Sequence, residues 1–393
     1  MMFMQFFAFG AFSPILSLYL KTELNFTGTQ IGMILASSSI AAFISPLISA
    51  FIADRIIRAE RLLVLCHLAG AVFMFFLYSQ KTFSDFLIFY IGYCIAIGPT
   101  TALINTVTFH HSPNTEHHFG NIRVWGTIGW IVVAWIFSYL WLNRAAPGAD
   151  ASRLAHALIL SAIASLVLGL YALTLPKSSA MQSGPRRIIP SDSFAVMIKG
   201  DVILICFVGF LISAVNRIYY FGTAPFLSQL GFKDSSIMPI MTLGQFSEVF
   251  MMMLLGASLL RFGFKKTFII GIVAEIIRFS SFALAEKFTG FVFLGILCHG
   301  PAFALFFTGV YIYLDSKCDA QSRSGVHQLF SLINYGLAFL FGNLSAGWMM
   351  DLCTDNITRQ INYTAFWLAP AAVSILSLIL IALFFPDKKI RVD

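Results

Sequence analysis

The run Lys177-Ser178-Ser179-Ala180-Met181-Gln182-Ser183-Gly184-Pro185-Arg186-Arg187, continuing through Pro190 to Lys199, is the longest polar interruption in this sequence. On either side of it the chain is apolar almost without relief. Of 393 residues, 58% are hydrophobic, 15% aromatic and only 11% charged, against roughly 25% charged residues in a soluble domain. The mean hydropathy is +0.84. Lipid, not water, is therefore the solvent for most of the molecule. A helix needs about 20 apolar residues to cross about 30 Å of hydrocarbon. Working outward from the break, and dividing at charged, Pro-rich and Gly-rich points, the sequence places six spans before it, at 2–20, 30–53, 62–80, 84–110, 119–142 and 154–175. Six more follow, at 201–228, 235–260, 266–285, 288–313, 326–350 and 361–385. The expected fold class is all-α, a polytopic membrane protein of about twelve transmembrane helices. Its expected organisation is an N-terminal six-helix bundle over 1–176, a cytoplasmic central loop over 177–200 and a C-terminal six-helix bundle over 201–393. Met1 to Leu20 carries no basic leader or small-residue cleavage site, so it reads as the first span and not as a signal peptide.

Charge sets the orientation. With both termini in the cytoplasm, fifteen Lys and Arg residues fall inside, among them Arg55, Arg58, Arg61, Arg186, Arg187, Lys265, Lys266 and Lys388, and seven fall outside. That matches the positive-inside bias of cytoplasmic loops, and the opposite orientation violates it. The net charge of +7 is accounted for by this bias; no basic cluster interleaved with exposed aromatics marks a nucleic-acid site. The six cysteines are scattered without a C-x-x-C pair, and they read as small apolar fillers or loop thiols. His110, His111, His117 and His118 cluster near one loop, with only Glu116 as an acidic neighbour. We expect no metal and no cofactor there.

A polar or ionisable side chain at membrane depth is costly and normally faces a bundle interior, which makes it a functional candidate. Glu248 lies mid-span, with Gln245 one helical turn before it on the same face. A desolvated carboxyl at that depth suits a proton carrier, although a permanent structural ion pair is the alternative. Arg123, Thr127 and Trp130 follow helical spacing and offer a cation, a hydroxyl and an aromatic plane on one face. Snorkelling of Arg123 to the cytoplasmic boundary is the competing reading. Arg217 stands close to the middle of its span; it is a candidate charge partner for Glu248, or for an anionic group on a substrate. Glu275 and Arg278, one turn apart, read as a structural intrahelical pair.

Two loops carry a further pattern. Ala50-Phe51-Ile52-Ala53-Asp54-Arg55-Ile56-Ile57-Arg58, between the second and third spans, resembles the G-x-x-x-D-R-x-G-R loop of the major facilitator superfamily, with both glycines replaced. The equivalent loop of the second half, Gly256 to Lys266, has the basic residues but Leu260 at the acid's place. Asp54, Arg55 and Arg58 are thus the candidate conformational loop motif. Within the superfamily the chain resembles the bacterial nucleoside–proton symporters, with the lactose-permease-like and phenylpropionate-permease branches as relatives. The resemblance rests on Gln5-Phe6-Phe7, Asn105-Thr106-Val107, the run from Arg123 to Trp130, Phe221-Gly222, Gln245-Phe246-Ser247-Glu248 and Arg278-Phe279. It implies two pseudo-symmetric six-helix bundles. It also implies a substrate site drawn from Arg123, Thr127, Trp130, Asn216, Tyr219, Gln245 and Glu248, with His299 and Phe303 from the tenth span, and proton coupling at Glu248. One departure stands out: after Phe303 the resemblance expects an aspartate, and the residue is Ala304.

The expectation is therefore a proton-coupled importer of a nucleoside or similar small polar solute. It would sit in a bacterial inner membrane, work as a monomer, and have the lipid bilayer, protons and its solute as partners. A sugar or small organic anion is the alternative cargo. No enzyme is expected: a polytopic membrane transferase, the reading from a different class, needs a convergent acid, nucleophile or metal motif, and none of H-E-x-x-H, G-x-S-x-G or a Walker P-loop occurs.

Overall fold

A computed structural model describes residues 1–48, 57–111, 115–143, 153–176, 191–319 and 322–387. Eleven apolar helices run through it: α1 (Met2–Thr22), α2 (Gly28–Ser45), α3 (Ala59–Ser79), α4 (Phe83–Phe109), α5 (Ile122–Leu142), α6 (His156–Ala172), α7 (Gly200–Gln229), α8 (Asp234–Leu284), α9 (Gly290–Asp315), α10 (Arg323–Leu352) and α11 (Tyr363–Phe384). Ten of these are long and apolar enough to cross a membrane, and α6 is shorter. At 1.5 Å rise per residue, the 51 residues of α8 extend about 75 Å, more than twice the hydrocarbon thickness. The helix in fact turns back at Gly263, where φ is 72° and ψ is 178°, a conformation that favours glycine. α8 is therefore long enough for two crossings, and among the described residues the apolar segments number twelve. The sequence placed a boundary between spans at the same point.

Polar punctuation starts the helices. Thr27 and Gln30 form a reciprocal capping box at α2: the Gln30 N–H donates to Thr27 Oγ1 at 3.2 Å, and the Thr27 N–H donates to Gln30 Oε1 at 3.0 Å. Asn362 caps α11 by accepting from the Ala365 N–H at 3.0 Å. Between α10 and α11, Asp355 Oδ1 accepts from the N–H groups of Ile357 and Thr358, and these bonds hold its carboxyl below the usual range.

Contacts group the chain into two units, Met1–Arg186 with Phe232–Pro239, and Arg187–Gly231 with Ile240–Asp393. In the first, Met2 of α1, Leu62 and Leu63 of α3, Ile104 and Val107 of α4 and Leu168 of α6 form one buried cluster. Across its polar seam, Gln5 Nε2 donates to Thr100 Oγ1 at 2.8 Å. In the second, Phe226, Phe282, Tyr363 and Trp367 pack ring to ring, with centroids 4.9 Å apart for Phe226–Tyr363 and 5.0 Å for Phe282–Trp367. Phe75, Ile88, Met253 and Leu383 are each more than 60% exposed. Such large apolar residues repeated around a molecule are what a lipid-facing surface requires.

Three stretches widen from α to π winding: Phe137–Leu142 in α5, Ala302–Thr308 in α9 and Leu332–Leu337 in α10. Each shifts the register of the side chains beyond it, and such turns concentrate at functional sites. The second begins immediately after Pro301, which cannot donate the bond an α-helix needs.

Candidate functional site

The polar groups of the second unit converge on one buried arginine. Arg278, on the second arm of α8, is fully buried, as is Glu275 one turn before it. Its Nη1 lies 3.2 Å from Glu275 Oε2, so the pair read from the sequence is present. Neither Glu275 oxygen has a hydrogen-bond partner, which means that charge and not bond alignment holds the pair. Arg278 also reaches two other helices. Nη1 donates to Asn216 Oδ1 of α7 at 3.4 Å, and Nη2 faces Nδ1 of His299 in α9 at 2.9 Å. Helical spacing alone assigns Arg278 a local role; its place as the hub was missed, and its position inside an apolar span was the available signal.

This contact fixes the state of His299. A guanidinium has donors only and keeps its charge, so Nδ1 must accept and the ring proton resides on Nε2. That N–H faces Glu248 Oε2 at 3.5 Å and Tyr220 Oη at 3.5 Å, both at the outer limit for a hydrogen bond. A row results, running from Glu275 through Arg278 and His299 to Glu248. Tyr219 stacks on the His299 ring at 5.5 Å and 16°, while the Arg278 guanidinium lies 4.5 Å from the Tyr219 ring centroid. Phe303 leans on His299 from one turn along α9, at 5.9 Å.

Backbone proximity makes the row possible. α8 and α9 touch where Gly300 faces Ser247: a Cβ at position 300 would lie 2.3 Å from the Ser247 backbone carbon, inside any permitted contact. Ser247 Oγ also donates to the Leu297 carbonyl at 2.6 Å. That crossing seats His299 beside Glu248, the residue after Ser247. Glu248 keeps 22% of its side chain exposed, in contrast with 1% for His299. Gln245, one turn before it, is buried with its Oε1 unpartnered.

A cavity of about 110 Å³ opens beside this row. Asn216 and Arg217 of α7 and Phe303 of α9 line it, as the sequence candidates suggest, together with Ser213, Tyr220 and Asn334, which sequence reasoning missed. Ser213 Oγ donates to Asn334 Oδ1 at 2.9 Å, and the two π-wound stretches carry Phe303, Phe307 and Asn334. The Arg217 guanidinium lies over the Phe339 ring, 3.8 Å from its centroid, and 4.7 Å from that of Tyr220. Ala304, where an aspartate was expected, is fully buried.

In the first unit, Arg123 lies over the Phe6 ring at 4.2 Å, and Trp130 meets Phe9 at 5.7 Å. Thr127 stands on the same stripe of α5, half-buried. Of the loop motif, Arg58 is the residue at the N-terminus of α3, and Asp54 and Arg55 lie outside the described residues. The side chains of the histidine group near 110–118 also lie outside them.

The family described as Nucleoside H+ symporter matches residues 1–389. The putative nucleoside transporter YegT of Escherichia coli (strain K12) is 32% identical over 401 residues, which cover 99% of this chain and 93% of that protein. Xanthosine permease of the same organism is 29% identical, covering 100% of this chain and 95% of the relative. Among solved structures, a mutant of the nucleoside transporter NupG superposes with a TM-score of 0.89 at 25% identity, over 98% of each chain. A D-xylose-proton symporter, at 16% identity and a TM-score of 0.74 over 98% of this chain and 96% of that one, shares the fold. A match along nearly the whole chain, with the same all-helical architecture, means that this membrane protein belongs to the nucleoside H+ symporter family of major facilitator carriers.

Proposed function

We propose that this chain imports nucleosides across a bacterial inner membrane in symport with protons, with both termini in the cytoplasm. The observation that carries the proton step is the placement of Glu248: a carboxyl at membrane depth, a fifth exposed, at the end of a row whose other members are buried. Glu275 is committed to Arg278, and position 304 offers no acid. Glu248 therefore takes and releases the proton. Ionised, its carboxylate faces the Nε2–H of His299; protonated, it becomes a donor that a ribose hydroxyl can accept.

The solute site draws on the amides of Asn216 and Gln245 for hydroxyl groups and on aromatic planes such as Tyr219 for the base; for Arg123, Thr127 and Trp130 a role in solute binding is what the family resemblance implies. Buried polar groups of this kind reject analogues that leave them unpaired. The excess of Lys and Arg in the loops assigned to the cytoplasm supports the orientation. A single chain suffices for this work.

The test is uptake of labelled uridine and adenosine by cells lacking other nucleoside carriers, with and without a proton uncoupler, for the wild type and Glu248→Gln. Saturable uptake that is lost with the uncoupler and in the variant is the expected result. Concentrative uptake that survives Glu248→Gln, in protein shown to reach the membrane, removes Glu248 from the proton path.

A further inference from the structure

Asn334 stands in an apolar stretch of α10 and is 3% exposed. It belongs to the π-wound turn Leu332–Leu337 and lines the cavity of the second unit. A buried amide in a membrane span is costly unless its polar atoms find partners, so what each atom meets decides what the residue can do. Ser213 of α7 donates to its Oδ1 at 2.9 Å. The same oxygen lies 3.7 Å from where a Cβ at Gly209 would stand, one turn before Ser213. The carbonyl side of the amide is thus turned toward the backbone of α7. With that oxygen committed, the group Asn334 can offer a ligand is its NH2, which donates and cannot accept.

The surroundings give that donor a ring-sized space. Phe303, Phe307 and Phe339 supply aromatic surface to a cavity of about 110 Å³, room for one ring and not for a whole nucleoside. Two hydroxyls of the same wall are turned elsewhere: Thr308 donates to Met252 Sδ at 3.4 Å, and the Tyr311 hydroxyl lies 3.4 Å from Ser331 Oγ. Asn216, on the α7 side, accepts from Arg278 through its Oδ1. π-wound turns concentrate at functional sites, and the turn in α10 is what carries Asn334 to this wall.

We infer that Asn334 is a specificity-determining residue, which donates to a carbonyl on the far edge of the base and disfavours an amino group there, and that Ser213 is its positioning residue. The inference rests on the proposed nucleoside site and adds a discrimination among its substrates. With the ribose held at Asn216 and Gln245, the base enters the cavity with the edge opposite its glycosidic nitrogen leading. In a pyrimidine nucleoside that leading position carries a carbonyl in uridine and an amino group in cytidine. The carbonyl accepts from the Asn334 NH2. The amino group sets donor against donor, and a buried donor without an acceptor is what such a site rejects. Size and shape hardly differ between the two compounds, so the hydrogen bond alone separates them.

The test is equilibrium binding of uridine and of cytidine to the purified full chain in detergent. The wild type is expected to bind uridine about tenfold more tightly, the margin of one hydrogen bond against one unpaired donor. Asn334→Ala removes the donor and brings the ratio close to one. Ser213→Ala leaves Asn334 in place but frees its amide to turn its oxygen to the ligand, so cytidine binding improves severalfold while uridine binding changes little. A gain of that kind cannot come from misfolding. Equal binding or a preference for cytidine in the wild type, or a ratio that survives both substitutions, overturns the inference and leaves nucleoside carriage standing. Binding of neither compound overturns the nucleoside reading and this inference with it.

Discussion

Replacing Arg278 by leucine should be among the most damaging single changes in the chain, and a second change should repair much of the damage. The arginine and Glu275 are 1% and 0% exposed and 3.2 Å apart. Removing the cation strands a carboxylate in the interior, which costs about 3–5 kcal/mol. It also orphans His299 Nδ1 and Asn216 Oδ1, which now accept from Arg278, at about 1–3 kcal/mol for a buried acceptor. Glu275→Leu alone strands the arginine less severely, because His299 and Asn216 still accept from it. In the double variant no charge is left uncompensated, and only the two orphaned acceptors remain to be charged against stability, together about 2–6 kcal/mol, a loss that the Arg278→Leu single variant carries as well. The coupling energy of the cycle should therefore be at least about 2 kcal/mol in the restoring direction. Thermal or denaturant unfolding of the four purified proteins in one detergent measures it. If the double variant loses the sum of the two single losses, the buried pair does not hold the core and the account of the row is wrong.

Other perturbations test neighbouring parts of the structure. Gly300→Val inserts side-chain atoms where even a Cβ would lie 2.3 Å from the Ser247 backbone; overpacking of about 1–3 kcal/mol should appear as a lower melting temperature. The same change should cost uptake more than stability explains, because α8 and α9 must part and carry His299 away from Glu248. Beyond the end of α1, burial pushes the Glu23 carboxyl up to about 7, while its Oε1 accepts from the Leu154 N–H at 3.0 Å. A raised carboxyl pKa means that the folded state holds its proton longer, so stability should fall as pH rises from about 4.5, the value in the unfolded chain, through about 7. After screening at this half-buried site the loss should be about 1 kcal/mol, and Glu23→Gln should flatten it in melting temperatures taken across that range. Trp130→Ala should weaken nucleoside affinity severalfold, for the loss of about 0.5–1.5 kcal/mol of aromatic contact, while leaving the uncoupler sensitivity of the remaining uptake intact. An unchanged affinity would return Trp130 to simple packing against Phe9.

The spans were legible because lipid imposes one simple demand. Each crossing must be long, apolar and internally hydrogen-bonded, and those requirements are written locally, residue after residue. Glu248, Asn216 and Arg217 were legible for the same reason, since polar groups stand out against an apolar background. So was the Glu275–Arg278 pair, because residues three apart on a helix are neighbours wherever the helix goes. The turn at Gly263 announced itself through the basic loop around it. What the pattern withheld was everything set by contact between helices. Resemblance pointed to Tyr219, yet Tyr220 reaches both Arg217 and His299. Asn334 was passed over, although it is an amide inside an apolar span and polar character alone could have flagged it. Local reading confined Arg278 to its own helix, and it proved to join three. The π-wound stretches after Pro301 and in α10 turn Phe303 and Asn334 by an amount that no 3.6-residue period foretells. Local pattern was enough to mark the apolar spans and the residues that have no business in lipid. Which of them meet came from the packed fold, because a side chain's partner depends on where distant helices cross, and that is settled by close packing at points such as Gly300 and Ser247.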